Sequence, residues 1–500
     1  MRWRWCSPTR RFVAAVLGLA AAGAAGALPA EPIEVELEMV VQRTPGQIAI
    51  GEGAIHRRPS TQSFFHQIGG PEIRVREPGR RDFSEVVQRE PRYQAEQPIR
   101  QVARLGGQDF AFVLDKKEKD AQRYEVLYFD RNGNGDLTDD EPIEASVQDA
   151  MFAGDYWSFS FPPIDLELSV EGTRYPYRVA VSAYSYSSRV VTGSGQVDTT
   201  RSMNVSLAAA AHREGTATVN GAERRFLLLD QNSDGRFDSF GEIVSARMAS
   251  GEERWSLRSA DRLLVDPDPA DPRQRMGHDV TVAPGQHHLS PLVHLDEAFY
   301  EVAVTPAGDR MTLTPSTRPI GQLSGAAEEF TAVFFGDQGV VTVQGGPDRP
   351  VRLPAGEWRL LNYTIDLTGR EEPAAEEAEK EERGSLLSLL ARSLAGAAPQ
   401  PDRGRQFTIL SAAARGGEEP VEVVAGEVAE LSLGPPLKAV AQLAPYTRRE
   451  GTVELELAFI GAGGERVTNL MVAGGRPPAP TFEILDPDDE VVASGQFEYG

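Results

Sequence analysis

One cysteine, Cys6, occurs in 500 residues. A chain with a single thiol forms no internal disulfide and builds no cysteine metal site. Lysine is scarce as well: Lys116, Lys117, Lys119, Lys380 and Lys438 are all there are, and every other basic residue is arginine. Bases total 51 against 74 acids, a formal net charge of −23. Such a surface repels nucleic-acid phosphates and attracts cations, so no nucleic-acid partner is expected. There is no HExxH, no G-x-S-x-G, no Walker loop and no dinucleotide fingerprint, which removes the commonest zinc, serine and nucleotide chemistries. Helical periodicity is missing too, outside one segment near residue 380. What remains is a chain with 40% hydrophobic residues, enough for sizeable cores, and with Gly 48 and Pro 35 pointing to many turns and short elements.

The first thirty residues read as an address. They carry Arg2, Arg4, Arg10 and Arg11 but no acid, then the apolar run Phe12 to Ala22, then small residues around Ala27 and Ala30. A basic start, a short apolar stretch and an A-x-A-like end make a secretory signal peptide, 1–30, cleaved after Ala27 or Ala30. The alternative, an uncleaved anchor, suits the run less well, because it is short for a span. General and twin-arginine export both remain open. Cys6 precedes the apolar run, whereas a lipoprotein cysteine follows it. The expectation is an extracytoplasmic protein with no membrane span after cleavage, its net charge moved from −23 to −27 by the loss of four arginines.

Period-two alternation dominates the rest. Ile33 to Met39 and Val453 to Leu457 alternate cleanly; Tyr124–Phe129, Tyr177–Ser182, Phe226–Leu229, Tyr300–Thr305, Val340–Val343, Trp358–Leu367 and Thr481–Leu485 are short and bounded by turn residues. The fold class expected is all-β, a multi-module sandwich-like or barrel-like architecture. An internal repeat divides it: RYEVLYFDRNGNGDLTDDEPI (Arg123 to Ile143) matches RRFLLLDQNSDGRFDSFGEI (Arg224 to Ile243), and Tyr177 to Ser182 is echoed by Tyr300 to Thr305. The organisation read from this is a turn-rich β region 31–97, modules 98–204 and 205–318, a module 319–436, and a last module 437–500. Residues 371–383 hold seven glutamates, and Leu386, Leu387, Leu390 and Leu394 follow at helical spacing. They mark 371–404 as a short helical or disordered insertion. Pro354-Ala355-Gly356-Glu357-Trp358 resembles the PAGxY edge of prealbumin-like and carboxypeptidase-regulatory-like β-sandwiches, which implies a sandwich and no activity.

The chemistry lies in the repeat. Asp130-Arg131-Asn132-Gly133-Asn134-Gly135-Asp136-Leu137-Thr138-Asp139-Asp140-Glu141 fits D-x-[DN]-x-[DN]-G-x5-E at every defined position. Calcium takes six to eight oxygens at irregular angles, which alternate side chains of a tight loop supply. The run resembles the calcium loop of EF-hand and dockerin-like proteins. By that resemblance Asp130, Asn132 and Asn134 offer side-chain oxygens, Asp136 its carbonyl, Thr138 a direct or water-mediated contact, and Glu141 bidentate closure, with Leu137 pinning the loop to the core. The second copy keeps Asp230, Asn232, Asp234 and Gly235, places Arg236 at the carbonyl position and adds Asp238. It has Gly241 where closure is needed, with Glu242 one residue late. Strands, not helices, should precede both loops. Asn-Gly and Asp-Gly are also ion-free hairpin turns, but five matched positions and a second copy exceed that.

His278, His287, His288 and His294 with Asp266, Asp268 and Asp271 form the one crowded set suggestive of zinc, at a spacing that matches no ligand pattern. Gly193-Ser194-Gly195 reads as a turn. Tyr156, Trp157, Phe159 and Phe161 present an alternating aromatic stripe that suits core packing or stacking on sugar. The leading expectation is an exported, non-catalytic, calcium-stabilised scaffold, adhesion or envelope component, similar to large multi-module secreted bacterial proteins with DxNxDG loops. Its partners would be Ca²⁺ and a cell-envelope protein or glycan. The alternatives are a carbohydrate-binding protein using the aromatic stripe and an uncharacterised secreted hydrolase.

Overall fold

The chain is described by a computed structural model covering residues 31–498, except 45, 69–80, 154–155, 192–196, 248–252, 276–281, 326–327, 369–406, 417–418, 444–454, 473 and 489. The signal segment, the insertion 371–404, Gly193 to Gly195 and His278 lie outside the described residues. What is described is all-β and built from several antiparallel sheets; the helices among these residues are two single turns, Phe83–Val86 and Pro272–Arg275. No described helix is long and apolar enough to cross a membrane.

Alternation explains the strands. In Ile164–Val170 every second residue is buried, and the strand pairs antiparallel with Thr173–Val191 through a two-residue turn. Asn220-Gly221 turns Ala211–Val219 back onto Ala222–Leu229, with φ of 50° and 80° that suit these residue types. The expected strands at Tyr177, Phe226, Tyr300, Val340, Trp358 and Thr481 are all present.

The run Ile33 to Met39, which alternates as if it were one strand, is two. Ile33–Glu36 pairs with Arg310–Pro315, whereas Glu38–Val41 pairs with Ala211–Val219 in another sheet. The break falls at Leu37, whose N–H donates to the Asp309 carbonyl (2.8 Å) and whose own carbonyl accepts from Arg213 Nη1 (3.4 Å). Val35 before the break and Leu37 at it are buried and Met39 after it is half-buried, so the alternation survives a change of sheet. Gln62–Ile68 similarly joins the edge of the long Val197–Ala209 strand. Residues 33–41 and 62–68 are thus woven into sheets built from later strands, while Gln47–Ile50 and Gly53–His56 pair with each other.

Burial follows the same weave. One apolar cluster runs from Val35 to Leu313 and includes Phe112, Phe129, Trp157, Phe159, Phe226 and Phe237. A second spans Leu292 to Val472 around Trp358 and Tyr363. Residues on both sides of position 205 contribute to the first cluster, and this common interior positions the loops.

Candidate metal loops

Each loop begins one residue beyond an interior strand. Val126–Phe129 pairs with Gln108–Asp115 on one side and Ile143–Glu144 on the other, and delivers Asp130. Ala222–Leu229 lies between Ala211–Val219 and Arg262–Val265 and delivers Asp230. Strands, as expected, precede both.

The two loops close on themselves through the same bonds. Asp130 accepts the Asn134 N–H at Oδ1 (3.1 Å) and the Gly135 N–H at Oδ2 (2.9 Å). Asp230 accepts the Asp234 N–H at Oδ1 (3.2 Å) and the Gly235 N–H at Oδ2 (2.7 Å). Asn132 and Asn232 each accept the N–H two residues on, at 3.0 and 3.1 Å, and Asn134 and Asp234 do the same at 2.7 and 2.8 Å. The fourth residue is left-handed in both, Gly133 at φ 66° and Ser233 at 58°, as is the sixth, Gly135 at 76° and Gly235 at 77°. A serine holds that strained conformation because its hydroxyl donates to the Ser60 carbonyl (2.6 Å) and accepts the Ala209 N–H (2.9 Å). Leu137 and Phe237, each two residues past the left-handed glycine, are fully buried and anchor the loops to the interior.

Beyond this shared frame the loops differ. In the first, the acids turned toward the loop are Asp139 and Asp140. Asp139 accepts from the side-chain amides of Asn134 (2.8 Å) and Asn132 (3.4 Å), and Asp140 accepts the Arg131 N–H (3.1 Å). Glu141, the residue assigned to closure, is exposed and makes no hydrogen bond or ion pair among the described residues. Asp136 holds the Thr138 hydroxyl (2.5 Å) and N–H (3.0 Å) and pairs with Arg89 (3.2 Å); these bonds, the hydroxyl first, hold its carboxyl below the usual range. Burial pushes Asp130 and Asp140 up.

The second loop is deeper. Tyr177 donates to Asp230 Oδ2 (2.5 Å), and Tyr175 donates to the Gly235 carbonyl. Both tyrosine rings meet Phe237 edge-on at 6.4 Å, and the buried Arg213 guanidinium lies 5.0 Å from the Tyr175 ring centre and 5.7 Å from that of Phe237. Burial, then the neighbouring Asp234, pushes Asp230 up to about 7. Burial also raises Asp234. Arg236 forks onto Asp238 at 3.0 and 2.8 Å, and Glu242 is exposed on the strand Phe240–Arg247 opposite Arg258.

Sequence reasoning missed Asp261. Fully buried, it accepts the Gln231 N–H and the Ser239 N–H, both at 3.0 Å, and so clasps the two ends of the second loop. Burial first, then the charge of Asp230, pushes its carboxyl well up. It sits twenty residues past the motif, and its only signal is an acid two residues before the apolar run Leu263-Leu264-Val265.

Among the described residues, no three His, Cys, Asp or Glu side chains already form a metal cage. The loops owe part of their oxygen to Asn132, Asn134 and Asn232 and to carbonyls, and the carboxylates face backbone N–H groups. The histidines do not gather either. His288 Nε2 lies 2.9 Å from Arg262 Nη1, and burial depresses His287 to about 3 and His288 well below its ordinary value. Trp157, Phe159 and Phe161 are buried, with Trp157 stacked on Phe159 at 4.9 Å, and Tyr156 alone is half-buried. The stripe is core.

No family model, no curated protein and no solved structure matches this chain.

Proposed function

We propose that the protein is an exported, non-catalytic β-protein whose two loops bind calcium structurally, and that it serves as a scaffold, adhesion or envelope component. The observation that carries this reading is the duplicated frame: two loops, one hundred residues apart, with the same side-chain-to-backbone bonds and the same left-handed positions. The first loop would use Asp130, Asn132, Asn134 and the Asp136 carbonyl, with Asp139 and Asp140 as the nearer acids in place of Glu141. The second would use Asp230, Asn232, Asp234, the Arg236 carbonyl and Asp238, with the buried Asp261 in the closing role in place of the exposed Glu242.

The physics supports a cation in the second loop most directly. Burial first raises the proton affinity of Asp230, Asp234 and Asp261; the charge of Asp234 adds to it at Asp230, and the charges of Asp230 and Asp234 add to it at Asp261. A divalent ion offsets that repulsion, and its binding adds to folding stability because the unfolded chain offers no such site. A chain without disulfides gains from such clasps. The buried aromatic stripe gives no support to stacking on sugar at Tyr156 to Phe161.

Metal analysis of protein purified without chelator tests the reading. The expected result is two calcium ions per chain, falling to one in Asp130→Asn. Metal-free protein that takes up no calcium at millimolar concentration would overturn it.

A further inference from the structure

The sheet built from Ser146–Ala153, Tyr156–Ser160, Thr173–Val191, Val197–Ala209 and Gln62–Ile68 has two unlike faces. Alternation turns Trp157, Phe159, Val181, Val205 and Phe64 inward, and all are buried. The residues between them stand on the opposite face. The calcium reading makes no use of that outer face.

The register sets its residues in rows across the strands. One row is serine throughout: Ser146, Ser160, Ser182, Ser206 and Ser63 stand opposite one another on five strands. At about 4.8 Å per strand, these hydroxyls extend over about 19 Å. All five residues are half-buried or exposed. Ser206 donates to Asn204 Oδ1 (3.1 Å), whereas the Ser160 and Ser182 hydroxyls make no hydrogen bond among the described residues. The next row is Ser158, Tyr184, Asn204 and Phe65, and the one after it holds Tyr186, Ser202 and Gln67. Tyr184 is 37% exposed, and its ring lies 6.1 Å from that of Tyr186 at 27° to it. Phe65 is half-buried and stands outside the apolar interior. None of these residues carries charge, in a chain of net charge −23. On the far side of the serine row come Ala180 and Ala208, then Arg178, which forks onto Asp165 at 2.6 and 2.9 Å, so the charges at that margin are spent on each other.

The missing charge selects the partner. A neutral face on so acidic a protein has nothing to pair with a polyanion or a polycation. What it offers is hydroxyls that both donate and accept, and flat rings that give contact area at low entropic cost. A sugar chain carries the complement of both, hydroxyl edges and apolar C–H ring faces. Tyr184 and Phe65 sit in one row two strands apart, about 10 Å, which suits linked sugar rings better than a single one. We propose that this face binds a neutral, unbranched polysaccharide lying across the strands, its ring faces on Tyr184 and Phe65 and its hydroxyls on the serine row. The proposal names a partner class for the adhesion component inferred above and rests on that reading, though not on calcium. A protein partner is the poorer match, because short hydroxyls side by side give an anchoring side chain no apolar pocket.

Calorimetric titration of the signal-free chain with cellohexaose, laminarihexaose, xylohexaose, mannohexaose and chitohexaose, each to millimolar concentration, tests this, with polygalacturonate as the polyanion. The expected result is binding of at least one neutral hexaose and none of polygalacturonate. Tyr184→Ala should weaken that binding about tenfold, as loss of one ring contact requires, while Tyr184→Phe keeps the ring and most of the affinity. Ser182→Val, which suits a strand and removes a hydroxyl from the row, should also weaken it. Melting temperatures verify that the variants fold. Silence of all five hexaoses, undiminished binding in both Tyr184→Ala and Ser182→Val, or equal binding of polygalacturonate would each overturn the proposal. An envelope protein retained by wild type and lost in Tyr184→Ala, with every hexaose silent, would give the face to a protein instead. Metal analysis of the same sample separates the two readings: silent sugars on calcium-loaded protein fail this proposal alone, and sugar binding by a chain that takes up no calcium fails the loop reading alone.

Discussion

Asp230→Asn separates the charge of the deepest loop residue from its shape. The side chain is almost fully buried and takes hydrogen bonds from Asp234, Gly235 and Tyr177 at 3.2, 2.7 and 2.5 Å. Without calcium two changes oppose one another. The amide loses one acceptor oxygen facing these donors, at about 1–3 kcal/mol. It also removes a carboxylate that burial disfavours so strongly that its proton is held up to about 7. The net change in chelator is therefore small, about 1 kcal/mol either way. With calcium the outcome is different. A loop with a Kd of about 10⁻⁴ M gains about 2 kcal/mol at about 5 mM calcium, and two loops gain about twice that. The amide weakens the second loop's share while the first keeps its own. Urea denaturation in chelator and in calcium measures both increments, and the variant should retain about half of the wild-type calcium increment. In melting the missing half amounts to roughly 4 °C. A variant that keeps the whole increment would refute the argument that Asp230 holds an ion.

Three further outcomes follow from the packing. Gly235→Ala should cost about 2–4 kcal/mol in urea denaturation, because its φ is 77° and an added Cβ falls 2.7 Å from Gly106 N; a loss under half of that would mean the loop slides freely on the Gly106 turn. Trp157→Ala should cost about 3–5 kcal/mol by the same assay, as truncation of a buried aromatic does; a near-neutral result would show that the stripe is not core. The third concerns pH. His287 is depressed from 6.5 to about 3 by burial, then by His294, so its contribution to stability is present above pH 6.5 and is lost as pH falls toward about 3. At about pH 5 that loss is about 2 kcal/mol. Asp230 and Asp261, pushed up, pull the other way, since their penalty fades on acidification. His287→Gln isolates the histidine: its stability should fall less than wild type between about pH 7 and about pH 5. Parallel profiles would contradict the burial of a neutral imidazole.

Much of the fold could be read from period two, because alternation reports which face of a strand is buried without reference to the partner strand. Ile164–Val170 and Tyr300–Thr305 are legible in this way. Partner choice is not. Nothing in Ile33 to Met39 says that the run changes sheets at Leu37, since the alternation continues across the break and the hydrogen bond that makes it comes from Asp309. The loop frame was legible for a local reason: Asp130 and Asp230 bond to N–H groups four and five residues on, so the spacing encodes the geometry. Loop closure was not. Glu141 satisfied the spacing yet points to solvent, while Asp261 arrives from the junction of two later strands with no motif of its own.

The sequence by itself therefore determined the elements whose causes are local: one thiol and no disulfide, β-strands by alternation, tight turns at Asn-Gly and Asp-Gly, and two copies of an oxygen-rich loop with a buried apolar anchor. Tertiary structure alone decided which strands pair, that residues on both sides of position 205 share one interior, and which acids face each loop. The physical reason is range. A turn or an alternating strand is fixed by bonds within a few residues, whereas burial, desolvation and the meeting of charges depend on chain segments that only the closed sheets bring together.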